Sequence, residues 1–300
     1  MNNQKIYFVS LFSFIFFLLL SNRSFSQPPY PLLIKPYSFN LSQFKLPDSM
    51  FFCGEKIPLE NPEIRKRMER EFYLNLQSDG QILLYLKRSG EYFYSFEQIL
   101  KDESAPDDLK YLAVAESALF MSQSSKGAVG IWQFIPETAR RYGLKVNEFV
   151  DERRNPEKST RAAIKYLKSG KERFGSWALS ATAYNMGEGA TDDDLNFQQQ
   201  SNFYDLYVNE ESSRYVFRIA AIKEIMSNAD KYGFNLKPED YYKPRVTKVV
   251  QLDSAVENLS KWAILNSSTY KNIKLQNPWI LKRSLPHPGN EPYMISVPID

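Results

Sequence analysis

The 300-residue sequence predicts a mainly α protein, with an all-helical domain over residues 60–235 and a small module of a strand, one or two helices and a closing strand near 244–300. Three observations predict it. Apolar residues in the central block recur at three- and four-residue spacings, the stripe of a helix packed on one face. That block shows no alternation of strand and helix patterns, which excludes a parallel sheet with crossover helices. From Arg245 the texture changes: Val246-Thr-Lys-Val-Val-Gln-Leu252 is rich in β-formers, and Tyr293, Ile295 and Val297 alternate with Met294 and Ser296 as a strand does.

Each element has its own signal. Lys5, the apolar run Ile6–Leu20 and the small-x-small Ser24-Phe25-Ser26 read as a signal peptide over residues 1–26, with Gln27 as the mature start. The run is short for a membrane span. Residues 27–62 are rich in proline and aromatics without a sustained period, and read as an extended arm over the core. Ile64, Met68, Phe72 and Leu76 step by four, predicting a helix over Pro62–Leu76. Short helices are expected over Gln81–Lys87 and Phe96–Leu100. Ser104-Ala-Pro-Asp107 reads as a helix start with Ser104 as its cap, and Gly143 after Arg140-Arg141-Tyr142 as a helix stop. Asn155-Pro156 opens another helix, with Ala162, Ala163, Tyr166 and Leu167 as its apolar face and Gly170 as its end. Trp177–Met186 reads as a small-residue helix, and Tyr215, Ile219, Ile222 and Met226 mark one more. In the C-terminal module, Ser254–Ile264 reads as a helix between the two strands.

Composition narrows the classes. Loss of Lys5 and Arg23 with the signal peptide lowers the formal charge from +3 to +1, too balanced for a nucleic-acid-binding protein. Cys53 is the single cysteine, so no intrachain disulfide is available, and no cysteine stands at the cleavage site to carry a lipid anchor. High aromatic content suits both sugar stacking and an aromatic core, and decides neither.

Glu116 is the most informative residue. Leu109, Leu112, Ala113, Glu116 and Phe120 fall at i, i+3, i+4, i+7 and i+11, one buried helical stripe with a carboxylate in it. A buried carboxyl either finds a partner or raises its pKa and keeps a proton. An ordinary glutamic acid titrates at about 4.3, and an apolar pocket can raise it by about two units. A protonated acid near neutral pH is what glycosidic bond cleavage requires. Downstream, Gly127 and Gly130 permit tight turns beside a ligand, Trp132 offers an apolar face, and Gln133 offers an amide suited to N-acetyl and hydroxyl groups. Ala183-Tyr-Asn-Met-Gly-Glu-Gly189 ends a helix with a phenol and an amide before a glycine-rich turn. Singly, each motif is an ordinary turn or cap. Asp192-Asp-Asp194 lacks the spaced ligands of an EF-hand and reads as a solvated loop, so no metal and no cofactor are expected.

In this order the motifs carry a resemblance. They are Glu116-Ser117, Gly127-Ala128-x-Gly130-Ile-Trp-Gln133, Thr138-Ala139, Tyr142-Gly143-Leu144, Asp151-Glu-Arg-Arg-Asn-Pro156, Ser159-Thr160, Phe174-Gly175-x-Trp177, Ala183-Tyr-Asn185 and Glu211 with Tyr215-Val216. Together they resemble the catalytic domain of soluble lytic transglycosylases, relatives of goose-type lysozyme, and among these the type D membrane-bound murein enzymes. The resemblance implies a lysozyme-like catalytic domain over 95–235, preceded by an arm and helices over 27–94 and followed over 244–300 by a degenerate LysM-like module. The module's shared features are Leu259, Leu275-x-Asn277-Pro278 and Val297-Pro298. Three places depart from the family pattern: the loop from Glu116 to Gln133 is one residue short, Phe120-Met121 replaces an Asn-Pro, and Val208-Asn209 replaces a Leu-Pro, with Arg214 one place late.

The resemblance implies that Glu116 is the single catalytic acid and base. Ser124 or Ser125 would contact substrate beside it, and Gln133, Tyr184 and Asn185 would hold the sugar, the Tyr184 hydroxyl lying near the acetamido group. Glu211 would stand close to the cleft. The implied reaction opens the N-acetylmuramic acid–N-acetylglucosamine β-1,4 bond of peptidoglycan without water and leaves 1,6-anhydro ends. A hydrolytic muramidase and a non-catalytic wall-binding protein of the same fold are the alternatives. The implied partners are glycan strands, contacted peripherally at the wall, and proteins of wall synthesis or division; the implied location is the periplasm, in association with membrane or wall.

Overall fold

The computed structural model describes residues 41–299, so the expected signal peptide and the first part of the expected arm lie outside the described residues. The rest of the arm is more ordered than its composition suggests. A 3-10 turn at Leu41–Gln43 leads to an antiparallel hairpin of β1 (Met50–Phe52) and β2 (Glu55–Ile57), closed by Cys53 and Gly54 at positive φ. Phe52 and Ile57 point inward and are fully buried.

α1 spans Pro62–Gln77, with Pro62 in its first turn and Asn61 accepting from the Glu63 amide as its cap. The expected row of Ile64, Met68, Phe72 and Leu76 is buried. The two short helices expected next are one, α2 (Asp79–Asp102). Gly90, inside the helix between the two expected segments, is a crossing point. Tyr241 and Tyr242 lie over Gly90, where a Cβ would come within 2.6 Å of the Tyr242 carbonyl, and the Tyr242 amide donates to the Lys87 carbonyl at 2.8 Å. The expected division at 94/95 falls inside this helix.

Ser104 does not cap the next helix. It stands at φ 50°, just past the end of α2, and donates its amide back to Lys101. A 3-10 turn at Asp107–Leu109 leads instead into α3 (Lys110–Ser117). The helix stops there because Ala118 and Leu119 both adopt the left-handed conformation. Phe120 therefore leaves the predicted stripe: it is 57% exposed, with the Arg88 guanidinium over its ring.

α4 (Pro136–Arg141) ends before Gly143, as its sequence predicts. α5 (Pro156–Phe174) is capped by Asn155 and ends at Gly175, not at Gly170. Gly170 lies inside the helix, against Ser180 of α6 (Trp177–Met186), which Ser176 caps. α7 (Glu188–Gln198) corrects the expected loop at Asp192–Asp194, and Asp192 pairs with Arg173 of α5. α8 (Glu210–Ser227) is capped by Asn209 and packs on α1, α3 and α6 through the buried Tyr215, Ile219 and Ile222. Among the described residues no helix is long and apolar enough to cross a membrane.

The C-terminal module pairs β3 (Thr247–Leu252) with β4 (Tyr293–Pro298), antiparallel, around α9 (Leu259–Leu265) and α10 (Tyr270–Gln276). α9 begins at Leu259, later than expected, because Asn258 accepts from the Lys261 amide and sets the cap there. The module's core of Leu259, Ile273, Trp279, Ile280, Ile295 and Val297 includes Val150 from the helical domain. Main-chain bonds join the two: Asp151 N donates to Trp279 O at 2.9 Å, and Leu281 N to Phe149 O at 2.8 Å.

Candidate active site

A cleft of about 520 Å³ is lined by Glu116, Ser124, Ser125, Gln133, Tyr184, Asn185 and Glu211, together with Lys126, Phe134, Ile135, Thr138, Tyr166 and Met186. All seven residues singled out from sequence reach this one cleft, from four different segments.

Glu116 comes from the last turn of α3 and is half-buried. The left-handed pair that ends the helix turns the chain away directly after it. Its neighbour Ser117 donates to the Ile131 carbonyl at 2.7 Å, tying the helix end to the glycine loop. Burial pushes the Glu116 carboxyl up to about 7; the Tyr215 hydrogen bond and the charge of Arg218 pull it down, and Glu211 adds to the rise. The Tyr215 hydroxyl donates directly to Glu116 Oε1. In the sequence Tyr215 stands in an apolar helix face and in the Glu211 with Tyr215-Val216 motif, with no role in the site attached to it. The available signal was the phenol itself, since a tyrosine in a fully buried stripe needs a polar partner.

The loop between Ser122 and Gln133 is held from behind. Asp151 grips Arg153 with two bonds of 2.8 Å, both side chains buried. Arg153 in turn donates to the carbonyls of Gly127 at 2.9 Å and Phe134 at 3.0 Å. Inside the loop, the Ser124 hydroxyl accepts from the Ala128 amide at 3.0 Å, whereas Ser125 is exposed at the rim. Gln133 stands at φ 51°, and its amide nitrogen donates to the Gly130 carbonyl at 2.7 Å and the Ser122 hydroxyl at 3.1 Å. With the nitrogen engaged by the loop, the amide oxygen is the group left to meet a ligand.

Trp132 does not offer a face to the cleft. It is fully buried against Phe96, and its indole N–H donates to the Thr160 hydroxyl at 2.8 Å. An indole buries more apolar area than any other side chain, and here it anchors the loop to α5.

α6 delivers Tyr184 and Asn185 from its last turn. The Tyr184 hydroxyl donates to the Trp132 carbonyl at 2.7 Å, so toward a ligand its oxygen is an acceptor. Burial, then the nearby Glu116, hold this phenol well above its ordinary range and therefore protonated. Asn185 accepts from the Ser212 hydroxyl at 2.7 Å through Oδ1, which fixes the amide and turns its N–H₂ to other partners. Glu211, in the first turn of α8, is exposed at the edge of the cleft. Among the described residues no group of histidine, cysteine and carboxylate side chains converges as a metal site.

Fold and site together define a class: a helical domain with one high-pKa carboxyl in a cleft that carries amides and phenols, followed by a small α/β module. Residues 93–206 match the family described as the Transglycosylase SLT domain, and residues 248–300 match the soluble lytic transglycosylase C-terminal LysM-like domain. The chain thus carries an SLT transglycosylase domain followed by its LysM-like C-terminal domain. It is 30% identical over 259 residues to the membrane-bound lytic murein transglycosylase D of Escherichia coli K12, a match covering 83% of this chain and 55% of that protein. The same protein from strain O6:H1 matches equally. The chain spans about half the length of these curated relatives. Among solved structures, the 70 kDa soluble lytic transglycosylase of Escherichia coli is 20% identical with a TM-score of 0.37, over 51% of this chain and 27% of that one. The lytic transglycosylase Slt of Pseudomonas aeruginosa is 19% identical with a TM-score of 0.36, over 50% of this chain and 26% of that one.

Proposed function

We propose that this protein is a peptidoglycan lytic transglycosylase that acts in the periplasm at the cell wall, with Glu116 as its single acid and base. The observation that carries this reading is a carboxyl pushed up to about 7 by burial, in a cleft that also presents the amides of Gln133 and Asn185 and the hydroxyls of Ser124, Ser125 and Tyr184. An acid of that strength is protonated through much of the neutral range, yet gives up its proton readily.

Glu116 donates its proton to the oxygen bridging N-acetylmuramic acid and N-acetylglucosamine, and the bond from that oxygen to the anomeric carbon breaks. The acetamido carbonyl of the muramic sugar stabilises the positive anomeric carbon. Glu116, now ionised, takes the proton of the sugar's own 6-hydroxyl, whose oxygen closes onto the anomeric carbon. The proton count balances, no water is consumed, and the product is a 1,6-anhydro end. Tyr215 steadies the ionised form between the two halves. The Gln133 oxygen, the Asn185 N–H₂ and the Tyr184 oxygen supply the acceptors and donor for the acetamido and hydroxyl groups, and Ser124 and Ser125 border the same sugar. Glu211 is exposed, so its part is to shape the field around Glu116 from the rim.

Digestion of purified sacculi with product masses tests the reading. The expected fragments are anhydro-muropeptides, lighter by one water than muramidase products, and Glu116→Gln should release none. Reducing-end products would establish the hydrolytic alternative instead. Binding to sacculi without turnover by the wild type would leave only a wall-binding role.

A further inference from the structure

α1 precedes the segment that matches the SLT domain, yet it sends a carboxyl to the back of the site. Glu71 is buried, at 1% exposure, and its partners are two arginines of α8. Arg214 donates to it through Nε at 2.6 Å, and Arg218 Nε lies 3.8 Å from its second oxygen. The arginines bracket Tyr215, the residue whose hydroxyl meets Glu116. A buried carboxylate is tolerable only when paired, so this cluster fixes the α8 turn carrying Tyr215 against α1. Residues three apart on a helix share a face, which sets Arg218 one turn beyond Tyr215.

We propose that Glu71 is a positioning residue for the Glu116 acid: by holding Arg214 and Arg218 on the α1 side of α8, it keeps the Arg218 guanidinium off the Glu116 carboxyl and fixes the turn that presents Tyr215. The inference rests on the reading of Glu116 as the acid. Glu116 is faced by Tyr215, Arg218 and Glu211 from α8 and by Tyr184 from α6. Arg218 also faces Tyr85 of α2, and Arg214 also faces Glu210. Of the groups facing Glu116, Arg218 carries the positive charge. A cation released toward the carboxyl favours its ionised form, so without Glu71 the acid would lose its proton at lower pH.

The test is a carbon-13 titration of the Glu116 carboxyl in the whole protein, its resonance assigned by its absence from Glu116→Gln. Glu71→Gln should lower the midpoint by about half a pH unit or more, and the alkaline limb of kcat on sacculi should move with it. The double variant Glu71→Gln with Arg218→Gln should return the midpoint to the wild-type value or above. An unchanged midpoint in Glu71→Gln, with activity reduced equally at every pH, overturns the proposal and leaves Glu71 a structural ion pair. If Glu71→Gln does not fold, Arg218→Gln carries the test: the midpoint should rise, and one that stays put overturns the proposal. The titration reads the carboxyl whether or not the protein turns over sacculi. Activity retained in Glu116→Gln would defeat the assignment of Glu116 as the acid, a failure separate from an unmoved midpoint in Glu71→Gln.

Discussion

Gly130 lies against the carbonyl of Arg153 at φ +90°, so close that a Cβ at position 130 would fall well inside 3.0 Å of that oxygen. Arg153 also grips the loop from both flanks, at the Gly127 and Phe134 carbonyls. The loop that presents Gln133 is therefore clamped to the start of α5 at its tightest point. Gly130→Ala should lower stability by about 2 kcal/mol or more, from the left-handed backbone and the clash together. It should also depress turnover of sacculi by displacing Gln133. Urea unfolding and a turnover assay check both, and a variant with wild-type stability and rate would show that the loop is not anchored here.

Much of this was readable in advance, for local reasons. The caps at Asn155 and the stop at Gly143 are set by residues within a turn of the helix ends, and the row from Ile64 to Leu76 is a spacing in one helix. The residues of the cleft could be gathered from sequence because the motifs, taken together and in order, resemble a known family, whereas singly each is an ordinary turn or cap. What was missed depends on partners far along the chain or on backbone that carries no side-chain signature. Ala118, Leu119 and Gln133 take positive φ without being glycine, so neither the early end of α3 nor the outward turn of Phe120 shows in the pattern. The apolar face of Trp132 turns inward and not toward a ligand because its partners, Phe96 and Thr160, lie on two other helices. Tyr215 is 99 residues from Glu116, and no local rule connects them.

The Tyr215 hydroxyl favours the ionised form of Glu116, and burial of the carboxyl opposes it. Tyr215→Phe removes only the first effect. The Glu116 pKa should then rise above about 7, and the alkaline limb of the kcat profile should move to higher pH. Turnover on the acid side should fall as well, because the ionised intermediate loses a charge-assisted hydrogen bond. A pH–rate profile on sacculi checks the direction; an alkaline limb that stays put or moves down would mean that the hydrogen bond does not act on the acid.

The same carboxyl makes stability depend on pH. Its folded value of about 7 stands above the ordinary 4.5, so the native state holds a proton that the unfolded chain has released between those limits. Stability from this group is fully present below about 4.5 and is lost as pH rises toward about 7. Above that the ionised carboxyl stays buried, at a cost on the order of 3 kcal/mol. Glu116→Gln carries no such charge. It should match the wild type near pH 4 and exceed its unfolding free energy by roughly 3 kcal/mol at pH 8. Urea denaturation at the two pH values measures the difference, and an equal offset at both would place its origin in packing instead of ionisation.

Val150 is a residue of the helical domain built into the core of the module, 1% exposed beside Ile280. Two main-chain bonds close the same seam, Asp151 to Trp279 and Leu281 to Phe149. The segment that fastens the module is continuous with the Asp151–Arg153 pair that clamps the cleft loop. Loosening the seam should therefore reach the site. Val150→Asp sets an unpaired charge in an apolar core and should lower stability by about 3 kcal/mol. Because the seam is shared, the wild type should unfold in urea in one transition, followed in parallel by the fluorescence of Trp132 in the helical domain and Trp279 in the module. Single-tryptophan variants separate the two signals. Coincident curves for the wild type that split apart in Val150→Asp are the expected result, and curves already separate in the wild type would show that the module stands independently of the cleft.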